Sequence, residues 1–345
     1  MDINQLQSTA HAMVAPGKGI LAADESTGTI KRRFDAINVE CTEQNRRNYR
    51  EMLFRTNGTN EFISGVILYD ETLRQKGADG TSLVKVLQDQ GIIPGIKVDM
   101  STNPLSNAPG EVITDGLDGL RARLQEYYEL GARFAKWRAV ITIGHGLPSQ
   151  YCIDANAHLL ARYAGLCQEA NLVPMVEPEV LMDGMHTIGK CYEATEATLR
   201  KVYHELGQQR VDLTGTILKP NMVLSGKEAS NRASAAEVAE KTIACFRNTV
   251  PAAVPGIAFL SGGQGDEEAT SNLDTINRLA SKVGVPWQLS FSFGRGLQAS
   301  PLAAWGGDDS KFDEAKQAYY HRARVMSAAR MGQYTSDMER SVAAD

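Results

Sequence analysis

Lys219 closes the apolar run "GTILKPNMV" (215–223), with Pro220 immediately behind it. Small and branched residues ahead of the lysine read as a strand entering a core, where an unpaired ammonium group costs several kcal/mol. Similar placements recur. "RFAKWRAVI" carries Lys136 and Arg138, "NLVPMVEPE" carries Glu177 and Glu179, "IIPGIKVD" carries Lys97, and Asp24 ends the run in "KGILAADES". Strand side chains alternate faces, so Lys136 and Arg138 point one way, as do Glu177 and Glu179, while Trp137 and Pro178 point the other. A lysine desolvated beside other cations gives up its proton readily. Moving one from about 10.4 to about 7–8 costs roughly 4 kcal/mol, within reach of one or two neighbouring cations in a partly dry pocket. The neutral amine adds to a carbonyl to form a Schiff base, an electron sink, and nearby carboxylates carry the protons.

Two further stretches suit phosphate. "FLSGGQG" offers Ser261 and Gly262, whose neighbourhood of bare backbone amides lets an anion approach closely, and "SFGRG" sets Arg295 beside Gly294. A mildly acidic chain, net charge −5, needs such local clusters to hold an anionic substrate. The same balance speaks against a nucleic-acid or membrane-surface binder.

Charged residues at strand ends work together only if the strands share one end. Eight candidate strands occur, at 18–26, 63–71, 92–99, 133–141, 171–179, 215–223, 256–263 and 288–295. Helical patterns lie between several of them: Leu117, Leu120, Leu124 and Tyr128 share a face, stopped by Gly131; Ser234 and Glu237 have capping-box spacing; Leu273, Ile276, Leu279, Ala280 and Val283 form a stripe ended by Gly284. Alternating strands and helices imply parallel pairing, and eight units imply a (β/α)8 TIM barrel with its ligand site at the carboxyl ends of the strands. An open doubly wound sheet is the alternative, but "AADESTGT" is not a GxGxxG turn. Segments 28–60 and 300–345 read as helical additions to a single domain spanning 1–345, with 333–345 a flexible tail.

The five cysteines (41, 152, 167, 191, 245) form no CxxC pair, which suits reduced thiols and a cytoplasmic protein. Neither an apolar leader nor an apolar run of about 18 residues is present. The six histidines (11, 145, 158, 186, 204, 321) show no HxH or HExxH spacing, so no metal site is expected. No cofactor is expected either.

"GILAADESTGTIKRR", "GIKVD", "FAKWR", "VEPE", "LKPNMV", "FLSGGQ" and "FGRGLQAS", in this order between residues 19 and 300, resemble the motif series of the class I fructose-bisphosphate aldolases. The resemblance implies metal-independent, reversible cleavage of fructose 1,6-bisphosphate to dihydroxyacetone phosphate and glyceraldehyde 3-phosphate, in glycolysis and gluconeogenesis. Position by position, it makes Lys219 the Schiff-base lysine and Glu177 the acid/base for carbinolamine dehydration, supported by Glu179. Asp24 would hold the fourth-carbon hydroxyl and assist bond cleavage, and Lys136 would stabilise developing negative charge. Ser261, Gly262, Gly294 and Arg295 would bind the phosphate nearest the ketone; Ser26, Thr29, Lys97 and Arg138, with Arg33 nearby, would bind the far one. It also implies a homotetramer. Many relatives end in a tyrosine that assists proton exchange, whereas this chain ends "YTSDMERSVAAD" with Tyr334 its last tyrosine, so enamine protonation is expected to be slower. A metal-dependent aldolase, a phosphate-binding barrel isomerase and an inactive aldolase-like scaffold are the rival readings; only the Schiff-base reading requires a lysine that becomes covalently attached.

Overall fold

The structure, a computed structural model, describes residues 1–340. Eight parallel strands close into a barrel: β1 (Gly19–Ala23), β2 (Ile63–Leu68), β3 (Ile93–Lys97), β4 (Phe134–Ile141), β5 (Val173–Val180), β6 (Ile217–Leu218), β7 (Gly256–Phe259) and β8 (Gln288–Phe293). The ring order is β1–β8–β7–β6–β5–β4–β3–β2, each strand beside its chain neighbours, and β1 pairs with both β8 and β2. All eight expected strands are present.

β6 is far shorter than its apolar run suggested. Pro220 has no N–H to donate, and beyond it side chains take over much of the bonding that a regular ladder would supply. Val223 N–H donates to Thr242 Oγ1 at 3.0 Å, and Asn221 Oδ1 accepts from Val180 N–H at 3.0 Å. Pairing nevertheless reaches the lysine, because Lys219 N–H donates to the Val176 carbonyl at 2.8 Å.

Two apolar layers follow from strand alternation. Ile20, Ile67, Phe134, Val173, Met175, Ile217 and Ala258 fill the barrel, and a larger cluster packs between the strands and the outer helices. Phe134 explains one glycine: a Cβ on Gly95 would stand 2.2 Å from its ring. Helix Ile3–Met13, not anticipated from the sequence, seats Leu6, Ala10 and Met13 among the inner cluster. Those three recur at helical spacing, so the signal was there to be read.

The helical additions take the form of Thr27–Asp35 and Glu43–Phe54 near the start, and Arg295–Trp305 and Phe312–Arg330 near the end. The Ser234–Glu237 capping box forms at the head of Ala235–Thr249. In helix Leu120–Glu129 the buried tyrosine is Tyr127 rather than Tyr128, and Leu117 precedes the helix. Helix Asp266–Val283 stops at Gly284 as expected, with φ 67°, although Val283 is exposed. Trp137 faces outward, its ring 5.6 Å from that of Tyr163.

Of the segment 333–345, residues 341–345 lie outside the described residues. Before them, Tyr334 N–H donates to Asp274 Oδ1 at 2.9 Å and Arg322 Nη1 meets Glu339 Oε2 at 2.6 Å. Among the described residues no helix is long and apolar enough to cross a membrane.

Candidate active site

Every candidate residue faces one cavity of about 340 Å³ at the carboxyl ends of the strands. Lys219 leaves the end of β6, Glu177 and Glu179 lie within β5, Lys136 and Arg138 within β4, and Lys97 ends β3. Register aligns them: Lys97 stands opposite Lys136, and Arg138 opposite Glu177. Asp24, Ser26, Thr29 and Arg33 follow β1; Ser261 and Gly262 follow β7; Gly294 and Arg295 follow β8.

At the centre is a chain of buried charges. Asp24 Oδ2 lies 2.7 Å from Lys136 Nζ, Lys136 Nζ lies 3.2 Å from Glu177 Oε2, and Glu177 Oε1 lies 3.2 Å from Lys219 Nζ. Lys136, Glu177 and Lys219 are each under 5% exposed, so water screens these pairs little. Burial opposes the charge on Lys136, but Asp24 and then Glu177 outweigh it and hold the ammonium pKa above its ordinary value. Burial likewise opposes ionisation of Asp24, and Lys136 with Lys219 outweighs it, holding the carboxyl below its usual range. Glu177 Oε2 makes no well-formed hydrogen bond despite its burial, which leaves a lone pair for an incoming group.

Two cationic corners flank this chain. On one side Lys97 Nζ is 2.7 Å from Asp99 Oδ1, and Arg138 pairs with Glu179, which overcomes burial to hold the guanidinium charged. Ser26 Oγ and Thr29 Oγ1 are 3.2 Å apart. On the other side Gly262 (φ 57°) and Gly263 (φ 89°) occupy left-handed conformations that bare the loop backbone, and Gly294 opens the helix carrying Arg295. In the ring, β3 and β4 stand diametrically opposite β7 and β8. Arg33, expected near the far-phosphate group, stands instead beside Gly294 at this second corner: it pairs with Glu25, and its Nη2 is 3.6 Å from where a Cβ on Gly294 would be.

Glu25, Asp99 and Ser101 also line the cavity and were not singled out from the sequence. Asp99 stands two residues beyond Lys97, so strand alternation gave a signal for it. Arg50 is a deeper omission: this buried side chain, from helix Glu43–Phe54, donates to the Glu25 carbonyl at 2.7 Å. No local pattern announces a contact 25 residues away in sequence. His145 and His186 line a separate groove, and Tyr334 is held against helix Asp266–Val283. Among the described residues no three His, Cys, Asp or Glu side chains are grouped to hold a metal ion.

Barrels of this kind work where their strands end, and a mouth that opposes two cationic corners across a lysine–carboxylate chain defines an enzyme acting on a phosphorylated carbonyl compound. A family model described as fructose-bisphosphate aldolase class-I matches residues 5–345. A probable fructose-bisphosphate aldolase class 1 of Xanthomonas campestris is 57% identical, over 97% of this chain and 99% of its own. The cytosolic fructose-bisphosphate aldolase 4 of Arabidopsis thaliana is 52% identical over 97% of this chain and 85% of its own. The fructose-bisphosphate aldolase of Plasmodium falciparum, solved in complex with TRAP and a small-molecule inhibitor, superposes with a TM-score of 0.95 at 47% identity, covering 96% of each chain. The chain belongs to the class I fructose-bisphosphate aldolase family.

Proposed function

We propose that the protein cleaves fructose 1,6-bisphosphate reversibly through a Schiff base on Lys219. The opposed cationic corners carry this reading: a substrate with a phosphate at each end spans the mouth and lays its carbonyl over the buried lysine. Ser261, Gly262, Gly294 and Arg295 take the phosphate next to the ketone, and Ser26, Thr29, Lys97 and Arg138 take the far one.

Lys219 passes a proton to Glu177 across their 3.2 Å contact, and its amine adds to the ketone carbon. Glu177 returns a proton to the carbinolamine hydroxyl, which leaves as water. Asp24, held ionised by Lys136, accepts the proton of the fourth-carbon hydroxyl as the bond between the third and fourth carbons breaks. The bonding pair moves into the iminium to give an enamine, and glyceraldehyde 3-phosphate departs. Lys136 offsets negative charge on the oxygens, while Glu179 holds Arg138 in place. Protonation of the enamine and hydrolysis release dihydroxyacetone phosphate.

Borohydride reduction with dihydroxyacetone phosphate, followed by peptide mapping, tests the mechanism. A stable adduct on Lys219 is expected, absent in Lys219→Met, whose turnover falls on the order of 10⁴-fold or more. An adduct elsewhere, or none, overturns it. The motif resemblance and the cytosolic relative support a cytoplasmic homotetramer acting in glycolysis and gluconeogenesis. Light scattering that gives the mass of a monomer would reject the tetramer.

A further inference from the structure

Ser101 lines the cavity just beyond Lys97 and Asp99, and its backbone is left-handed, with φ 76°. A residue with a Cβ is strained there, and glycine is not. The strain is imposed by firm anchors on both sides. Met100 N–H donates to the Asp115 carbonyl at 2.8 Å, Asp115 N–H donates to the Ser101 carbonyl at 3.0 Å, and Ser101 N–H reaches Asp99 Oδ1 at 3.4 Å. The hairpin that follows, Thr102–Pro104 against Val112–Thr114, is itself pinned to β4, because Thr114 Oγ1 donates to the Arg138 carbonyl at 2.8 Å. The buried Glu111 in the same excursion accepts from both Ser149 N–H, at 2.7 Å, and Ser149 Oγ, at 2.5 Å.

Among the described residues the Ser101 hydroxyl makes no hydrogen bond, and the side chain is exposed toward the mouth. A strained residue held by its surroundings, with an idle polar group facing a cavity, points to a ligand for that group. Lys97 and Arg138 line the same cavity, and the carboxylate beside Ser101, Asp99, is already paired with Lys97, so the ligand that suits this part of the mouth is an anion. We propose that Ser101 is a specificity residue whose hydroxyl donates to the phosphate on the far carbon of the sugar. The assignment rests on the reading of the mouth as a bisphosphate site and adds to it one ligand outside the motif series.

The experiment compares fructose 1,6-bisphosphate with fructose 1-phosphate, which lacks the far phosphate, in the unaltered protein, Ser101→Gly and Ser101→Ala. One hydrogen bond to a charged group predicts a fall of about tenfold in the ratio of kcat/KM for the bisphosphate to that for the monophosphate. The loss falls mainly in KM for the bisphosphate, and both variants show it. Ser101→Gly also relieves the backbone, raising Tm by about 1–2 °C, whereas Ser101→Ala does not. A ratio within about twofold of the unaltered protein in both variants overturns the assignment. So does a fall in the glycine variant alone, which traces the effect to the backbone rather than the hydroxyl. If the unaltered protein cleaves neither sugar, the aldolase reading itself fails, and this assignment with it.

Discussion

Glu177 stands between two ammonium groups, 3.2 Å from Lys219 on one oxygen and 3.2 Å from Lys136 on the other. One carboxylate therefore serves the nucleophile and faces the group that stabilises charge, which makes it the expected point of proton transfer in dehydration. Glu177→Gln keeps the shape and removes the titration. General acid–base catalysis is worth roughly 10²–10⁴-fold, so kcat is expected to fall by that amount, with slower formation of the borohydride-trapped adduct. An unchanged trapping rate would move the proton transfer to another group. The cysteines allow a second test. Burial, then Glu111, pushes the Cys152 thiol up to about 11, and burial, then Glu196, pushes Cys245 up to about 12. Cys167 and Cys191 are buried as well, while Cys41 is partly exposed. Titration of the folded protein with a thiol-specific reagent at pH 8 is expected to modify Cys41 rapidly and the other four only on unfolding. Fast modification of a second thiol would contradict this packing.

The strands were legible because each is an apolar run ending in a polar residue, and a parallel barrel buries its strands on both faces. Alternation then fixed which of Lys136, Trp137 and Arg138 faces the mouth. Other elements were hidden for identifiable reasons. Residues 98–116 leave the barrel as a short hairpin, whose polar sequence "DMSTNPLSNAPGEV" gives no periodic signal. β6 looked longer because "KPNMV" keeps the composition of a strand while side chains replace part of its ladder after Pro220. Asn221 is the hinge of that exchange: its Oδ1 accepts from Val180 N–H, and its Nδ2 donates to Thr195 Oγ1 at 3.1 Å. Asn221→Ala leaves the buried Val180 N–H of β5 without its acceptor and leaves Thr195 Oγ1, on helix Ile188–Gln208, with only the Cys191 thiol, at about 1–3 kcal/mol. Chemical denaturation is expected to show a lower midpoint in this range, and kcat is expected to fall because Lys219 stands two positions away. Full activity at reduced stability would show that this lattice supports the fold but does not position the lysine.

At the scale of the whole barrel, the charges at the mouth link strands that do not touch. β1 and β4 are separated in the ring by β2 and β3, yet Asp24 and Lys136 join them at 2.7 Å across the opening. The ion pair is thus part of what closes the upper end, and its dependence on pH follows from the two shifts. Asp24 titrates lower in the fold than the roughly 3.9 of an unfolded chain, so its contribution is complete above that value and is lost as pH falls through the folded pKa. Lys136 titrates higher in the fold than the roughly 10.4 of an unfolded chain, so its contribution is complete below that value and is lost as pH rises through the folded pKa. Together they predict a plateau between about pH 4 and pH 10 for this pair. Asp24→Asn leaves Lys136 with Glu177 as its remaining partner and is expected to lower stability by roughly 2 kcal/mol within the plateau. The gap between the variant and the unaltered protein should narrow as pH falls below about 4, because the unfolded chain there takes up a proton that the fold still excludes, and the ionised carboxyl's contribution shrinks. Urea midpoints at fixed protein concentration, measured from pH 3 to pH 8, provide the comparison, because any oligomer equilibrium would otherwise enter the difference. A gap that stays constant across that range would mean that the carboxylate holds the mouth together by its shape rather than its charge.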